Sequence, residues 1–148
     1  MMKILLVDDH VLFREGLAGL IDSQPDLTVV GSAASVEEAI AKAYELKPAV
    51  ILMDFSLPDG SGLDATRAIL SHSPNMSIIF LTMHDDDERL LEALRNGAKG
   101  YLLKNTSVNK LLSFVRGVQH GKAAITRVTT TPLLNHIAQA KSLPPSPL

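Results

Sequence analysis

The chain has 148 residues, enough for one domain with a sizeable core, and 46% apolar with 20% charged residues is ordinary for a globular protein. The net charge of -2 gives no whole-chain signal for nucleic acid, and the absence of cysteine excludes disulfides and thiolate metal sites. No apolar run approaches the roughly 18 residues of a membrane span, and no basic region with a longer apolar stretch opens the chain, so we expect a cytoplasmic protein without membrane contact.

Five short apolar runs predict five β-strands. Most of the runs are continuous rather than alternating, which is typical of strands that are covered on both faces. The runs are residues 4–7, 27–30, 50–53, 78–81 and 101–103.

The segments between these runs have the apolar spacing of helices. One predicted helical face carries Val36, Ala39, Ile40 and Ala43, and another carries Val108, Leu111, Leu112, Val115 and Val118. Capping signals agree with these helices. The predicted start signals are Ser35 with Glu38 and Asp85 with Glu88, and the predicted stop signals are Gly97 and Gly121.

Strands and helices therefore alternate five times, an order that predicts an α/β fold with a doubly wound parallel sheet and right-handed crossovers. We place this domain at residues 1–121. Residues 122–148 are too few for a second domain and form a predicted extension or linker. Within it, residues 132–140 could form a short helix with Pro132 at its first position, and the final SLPPSPL is typical of an extended linker.

Five polar residues fall at the predicted strand ends. Asp8 and Asp9 follow the first strand, Asp54 follows the third, and Thr82 and Lys104 follow the fourth and fifth. Open α/β sheets bind ligands beyond the carboxyl ends of their strands, where the strand order reverses. If the order is the common 2-1-3-4-5, all three carboxylates meet at that point, with the hydroxyl and the amine alongside.

Three carboxylates in such proximity disfavour one another's ionised forms. A divalent cation relieves that repulsion, and Mg²⁺ commonly takes one or two carboxylates and keeps several waters. Lys104 supplies a positive charge suited to a phosphoryl oxygen. A carboxylate nucleophile, a hard metal ion and a lysine together indicate phosphoryl transfer through an aspartyl phosphate.

The sequence resembles the receiver domain (CheY-like) of two-component response regulators over about residues 2–121. The matching elements, in chain order, are VDDH, LMDFSLPDGSG, the strand-end Thr82 and GAKGYLLKN. The opening VDDHVLFREGL and the later GAKGYLLKN most resemble the LuxR/NarL-type subgroup of transcriptional regulators. The resemblance implies a flavodoxin-like (βα)5 fold with strand order 2-1-3-4-5. The residues that carry it are Asp8, Asp9, Asp54, Pro58, Gly62, Thr82, Tyr101 and Lys104.

For the metal site, the resemblance implies that Asp54 accepts a phosphoryl group from a sensor histidine kinase with Mg²⁺ present. Asp9 and Asp54 would bind the ion directly, together with the backbone carbonyl of Ser56. Asp8 would hold the ion through water.

For the switch, the resemblance implies that Thr82 and Lys104 bind the phosphoryl oxygens. Thr82 would shift on phosphorylation and Tyr101 would move inward, which changes the partner preference of a surface and could favour a homodimer. DNA would be reached only through a C-terminal helix-turn-helix, and none is present by Leu148. We therefore expect a piece of a longer transcription factor, with a stand-alone receiver as the alternative.

Other interpretations stay open at this point. Asp8 or Asp9 could cap the helix that starts near Val11, and His10 and His84 could suggest a transition-metal site, although their spacing has no ligand pattern. A Mg²⁺-dependent phosphatase with an aspartate nucleophile is the main functional alternative, but the second acid that such enzymes place two residues later is missing after both Asp9 and Asp54. A flavodoxin-like ligand binder is disfavoured because the DDHV loop is acidic and lacks glycine.

Overall fold

The structure is a computed structural model, and it describes residues 1–83 and 86–119. The predicted stop at Gly121, the predicted helix at 132–140 and the predicted linker at 122–148 lie outside the described residues, as do His84 and Asp85. The elements in chain order are β1 (Met2–Val7), α1 (Val11–Asp22), β2 (Leu27–Ala33), α2 (Val36–Leu46), β3 (Val50–Asp54), β4 (Ser56–Leu57), β5 (Gly60–Ser61), α3 (Gly62–His72), β6 (Ser77–Thr82), α4 (Asp87–Arg95), β7 (Gly100–Leu103) and α5 (Val108–Gln119).

Five of these strands form one parallel sheet in the order β2-β1-β3-β6-β7. The strands β4 and β5 form a separate two-residue antiparallel hairpin, so the main sheet has the predicted order 2-1-3-4-5. The central strands β3 and β6 are buried along their whole length. That burial is the reason that their apolar runs are continuous.

The core has two layers because successive side chains of a strand point to opposite faces of the sheet. Leu5 and Ile51 point to the face that α2, α3 and α4 cover. Their neighbours Leu6 and Leu52 point to the face that α1 and α5 cover. The predicted apolar faces of α2 and α5 pack against these two layers, except that Val108 at the start of α5 is 38% exposed.

The helix ends agree with the sequence in part. The Ser35 hydroxyl accepts a hydrogen bond from the Glu38 N–H at 3.1 Å, as predicted for α2. The predicted cap of α4 was wrong: the helix begins at Asp87, and Asp86 is its N-cap, with a side chain that accepts from the Glu88 N–H at 2.9 Å. Adjacent aspartates offer equivalent caps, so the sequence alone did not distinguish them.

Gly97 follows α4 with φ +95°, a left-handed conformation that glycine adopts without strain, and this ends the helix as predicted. A capping box at the start of α3 was not predicted. The Ser61 side chain accepts from the Leu63 N–H, and the Asp64 carboxylate accepts from the Ser61 N–H. This box fixes the turn that follows the β4–β5 hairpin.

Candidate phosphoacceptor and metal site

The carboxyl ends of β1 and β3 bring three carboxylates and an imidazole together. Ligand atoms of Asp8, Asp9, His10 and Asp54 all lie within 4.8 Å of one another. Asp8 and Asp54 are buried, whereas Asp9 and His10 are exposed. The cluster is thus buried on the side of Asp8 and Asp54 and open to solvent on the side of Asp9 and His10, from which an ion can approach.

Lys104 neutralises part of the negative charge of this cluster from its buried side. Its Nζ lies 2.6 Å from Asp8 Oδ2 and 3.3 Å from Asp54 Oδ2, and its side chain is only 5% exposed. The ring of Phe13 covers the ammonium, with 4.7 Å between Nζ and the ring centroid. The backbone fixes the lysine as well, because the Lys104 N–H donates to the Thr82 carbonyl at 2.7 Å. Lys104 is therefore held as a buried counter-ion to two acids.

The pKa of Asp54 is raised above its usual value. Burial is the largest cause and the negative charge of Asp8 is the next, while Lys104 opposes both. The carboxylate form of Asp54 is thus held at an electrostatic cost. Any cation that enters the cluster relieves that cost.

The loop between β1 and α1 holds Asp8 in place. Its Oδ1 accepts a hydrogen bond from the His10 N–H at 2.8 Å, and His10 Nδ1 lies 2.9 Å from the same oxygen. The Arg14 guanidinium donates to the Asp8 carbonyl at 2.5 Å. His10 is the N-cap residue of α1, and no side chain caps that helix, so capping by Asp8 or Asp9 is not what keeps these acids here.

Gly62 permits the close approach of α3 to the end of β3. A Cβ at this position would lie 2.2 Å from the Asp54 carbonyl oxygen and 2.8 Å from a ring carbon of Phe80. The Gly62 N–H donates to the Phe55 carbonyl at 2.8 Å. The β4–β5 hairpin and α3 therefore brace the strand end that carries Asp54.

The remaining predicted residues lie on the adjacent strands. Thr82 is the last residue of β6 and is buried next to the cluster, and Ser56 opens the β4–β5 hairpin two residues after Asp54. Tyr101 lies in β7, and its side chain is fully buried in the layer that contains Phe80. Its ring already occupies an inward position in this structure.

The chemistry of the donor set fits magnesium. Carboxylate oxygens are the ligands that Mg²⁺ prefers, and one or two of them with water suffice. Asp9 offers an exposed oxygen at the rim and Asp54 a buried one at the floor. His10 adds a nitrogen to this donor set. The sequence suggested His10 as a metal ligand only together with His84, although its position directly after Asp8 and Asp9 already indicated that it would lie at the cluster.

Comparison with known proteins assigns the chain to a family. Residues 4–116 match the family model described as the response regulator receiver domain. The oxygen regulatory protein NreC of Staphylococcus haemolyticus is 45% identical over 141 residues, which are 95% of this chain and 65% of that protein. NreC of Staphylococcus aureus strain JH9 is 46% identical over 90% of this chain and 62% of its own length. The chain therefore spans less than two thirds of these relatives.

Solved structures give the same result. A LuxR-family two-component response regulator from Aurantimonas sp. SI85-9A1 has a TM-score of 0.84 at 32% identity, over 95% of this chain and 98% of that one. RcsB from Salmonella enterica serovar Typhimurium, bound to a promoter in the presence of phosphomimetic BeF3-, has a TM-score of 0.82 at 28% identity, over 97% and 72%. Within the described residues, no helix is both long and apolar enough to cross a bilayer. The chain belongs to the response regulator receiver domain family, and its relatives place it among the LuxR/NarL-type regulators.

Proposed function

We propose that Asp54 accepts a phosphoryl group from a sensor histidine kinase and that the chain is a phosphoacceptor switch rather than a turnover enzyme. The observation that carries the proposal is the position of the Asp54 carboxylate. It lies at the carboxyl end of β3, beside two further acids and 3.3 Å from the Lys104 ammonium. A nucleophile, a place for a cation and a positive charge beside the nucleophile are the parts that phosphoryl transfer needs.

The transfer conserves atoms and charge. An Asp54 oxygen attacks phosphorus, a P–O bond forms, and the P–N bond to the donor histidine breaks; the other nitrogen of the donor ring already carries a proton, so the ring departs as neutral imidazole. A magnesium ion held by Asp9, Asp54 and the backbone carbonyl of Ser56, with Asp8 acting through water, would neutralise charge on the phosphoryl oxygens. No further acid is needed, because an imidazole is a good leaving group.

Lys104 and Thr82 then respond to the new charge. The Lys104 ammonium leaves its carboxylate partners and binds a phosphoryl oxygen, and the Thr82 hydroxyl donates to another. Tyr101, on the neighbouring strand, stabilises the switched state from its buried position. The altered surface would favour a homodimer and would control a helix-turn-helix output domain that binds DNA.

Several wider features belong to this proposal. Residues 1–121 form the receiver and residues 122–148 a linker to the output domain. The location is cytoplasmic, since a kinase that takes its phosphoryl group from ATP works where ATP is. The phosphatase alternative is not favoured, because Ser56 stands where such an enzyme would carry its second acid.

The test is phosphorylation of the purified chain with Mg²⁺ and acetyl phosphate, followed by intact-mass measurement. We expect one added phosphoryl group that hydroxylamine removes, as it does from an acyl phosphate. Asp54→Ala should accept none, whereas Asp59→Ala, an exposed acid five residues on, should be labelled like the wild type. Unchanged labelling of Asp54→Ala would refute the assignment of the phosphoacceptor.

A further inference from the structure

A cavity of about 310 Å³ opens between α1 and α5, immediately beside the carboxylate cluster. Most of its wall is apolar. Leu12, Phe13 and Leu20 contribute from α1, and Val108 and Leu111 from α5. Ligand sites in proteins have volumes from about 300 Å³ upward and are mostly apolar with a few polar groups. This cavity is at the small end of that range.

The electrostatics of the cavity favour an uncharged occupant. Lys104 is the one charged residue in its wall. The Lys104 ammonium is already paired with the buried carboxylates of Asp8 and Asp54, at 2.6 and 3.3 Å. An anionic ligand would have to compete with those two acids, and a cationic ligand would face the ammonium. Thr106 is the other polar residue in the wall.

The volume of the cavity limits the size of its occupant. An apolar cavity of about 150 Å³ is known to hold benzene, so about twice that volume suits a molecule of two rings. The rim adds apolar contact, since Leu12 is 86% and Leu20 is 44% exposed. Burial of a flat aromatic molecule between these side chains removes apolar surface of both partners from water.

One residue joins the cavity to the phosphoacceptor site. Phe13 lines the cavity and also covers the Lys104 ammonium at 4.7 Å. A cation over an aromatic face is held by the charge distribution of the ring. A molecule packed against Phe13 from the cavity side would limit movement of the ring, and the ring would then limit movement of Lys104 away from its carboxylates.

We propose that the α1–α5 cavity binds a small, uncharged, mostly aromatic molecule, and that this ligand slows phosphorylation of Asp54 by holding Phe13 against Lys104. The binding part stands on the cavity alone, and the inhibitory part rests on the proposed function. A second copy of the chain seated on the exposed leucines is the competing occupant, and the test separates the two.

Two glycines of α1 provide matched variants. A Cβ at Gly16, in the cavity wall, or at Gly19, outside it, would meet no atom within 4 Å. Leucine is also a better helix former than glycine, so both Gly16→Leu and Gly19→Leu should fold. Only the Gly16 variant puts its new side chain into the cavity.

The first measurement is a fluorescence titration of the full chain with the neutral probe N-phenyl-1-naphthylamine. We expect saturable binding at one site, weakened roughly tenfold or more in Gly16→Leu and changed less than roughly twofold in Gly19→Leu. Absence of saturable binding, or equal binding by both variants, would overturn the proposal. So would a dimer in light scattering that excludes the probe and that Gly16→Leu converts to monomer.

The second measurement is the acetyl phosphate reaction with and without saturating indole, which is neutral and can displace the probe. We expect the rate of Asp54 labelling to fall by roughly twofold or more in the wild type and in Gly19→Leu, and not in Gly16→Leu. An unchanged rate in a protein that binds indole overturns the inhibitory part. Failure of labelling without indole counts against the proposed function alone, because the binding titration does not depend on it.

Discussion

The two ends of the parallel sheet each hold acid–base pairs, and the two ends differ in what burial does to them. At the carboxyl end, Lys104 pairs with Asp8 and Asp54, and all three side chains are buried. At the amino end, Arg116 of α5 grips Asp26, just before β2, with Nε and Nη2 at 2.7 and 2.9 Å from the two carboxylate oxygens. Both members of this second pair are exposed.

The pKa values of the two acids move in opposite directions. Hydrogen bonding from Arg116 holds the pKa of Asp26 below its usual value. Burial and the charge of Asp8 raise the pKa of Asp54, although a cation lies beside it as well. An exposed pair keeps its hydration, whereas a buried excess of negative charge does not. The amino end thus fastens α5 to the start of β2, whereas the carboxyl end holds a buried excess of negative charge that a bound cation would relieve.

Removal of the buried cation should give the largest effect. Lys104→Met keeps the buried stem but leaves Asp8 and Asp54 without their counter-ion, and breaking a buried pair in this way costs about 3 kcal/mol of unfolding free energy or more. Urea denaturation in EDTA measures it. Mg²⁺ should stabilise the variant more than the wild type, because the ion supplies the missing positive charge.

The exposed Lys110 of α5 offers a matched control. Lys110→Met should change the unfolding free energy by no more than about 0.5 kcal/mol, as is usual for surface substitutions. If Lys104→Met and Lys110→Met were equally stable in EDTA, the buried cluster would behave as a surface pair does, and the contrast between the two ends of the sheet would fail.

The backbone around Asp54 should tolerate little change. Gly62→Ala places a Cβ 2.2 Å from the Asp54 carbonyl oxygen, and overpacking of this kind costs about 1–3 kcal/mol. Urea denaturation should show that loss, and the rate of Asp54 labelling should fall with it. Gly19 lies in the last turns of α1, near the amino end of the sheet, and a Cβ there meets no atom within 4 Å. Gly19→Ala should therefore leave the unfolding free energy unchanged or raise it slightly. Equal unfolding free energies of the two variants would show that the backbone at the end of β3 shifts to accommodate the added methyl group, which would contradict this prediction.

The carboxyl end of the sheet could be predicted from the sequence, whereas the Asp26–Arg116 pair at the amino end was not. The apolar runs gave the five strands of the main sheet, and the parallel order brought Asp8, Asp54 and Lys104 to one edge. The limits of β2 were less accessible: the apolar run ends at Val30, but pairing with β1 carries the strand through to Ala33. The β4–β5 hairpin is too short for any periodicity to show.

The finer features of the site depend on side-chain geometry that no pattern encodes. Lys104 lies nearer to Asp8 than to Asp54, a difference of less than 1 Å between 2.6 and 3.3 Å. The cation–π contact with Phe13 and the cavity beside it depend on the gap between α1 and α5. A residue pattern predicts which helix faces are apolar, but it does not predict how tightly two such faces pack against each other.

The exposed pair at the amino end should give the smallest effect, and a pH dependence should reveal it. The folded protein binds a proton at Asp26 less readily than the unfolded chain does, since the pKa is lowered in the folded state. The stability that this pair contributes is therefore present above the unfolded pKa of about 3.9 and is lost as the pH falls through the lower folded value. Arg116→Ala should be less stable than the wild type near neutral pH, and the difference should shrink below about pH 4 and in high salt. In an Asp26→Asn background the same substitution should show no such pH dependence; a difference that stays constant down to about pH 3 would mean that Arg116 acts through packing rather than through its charge.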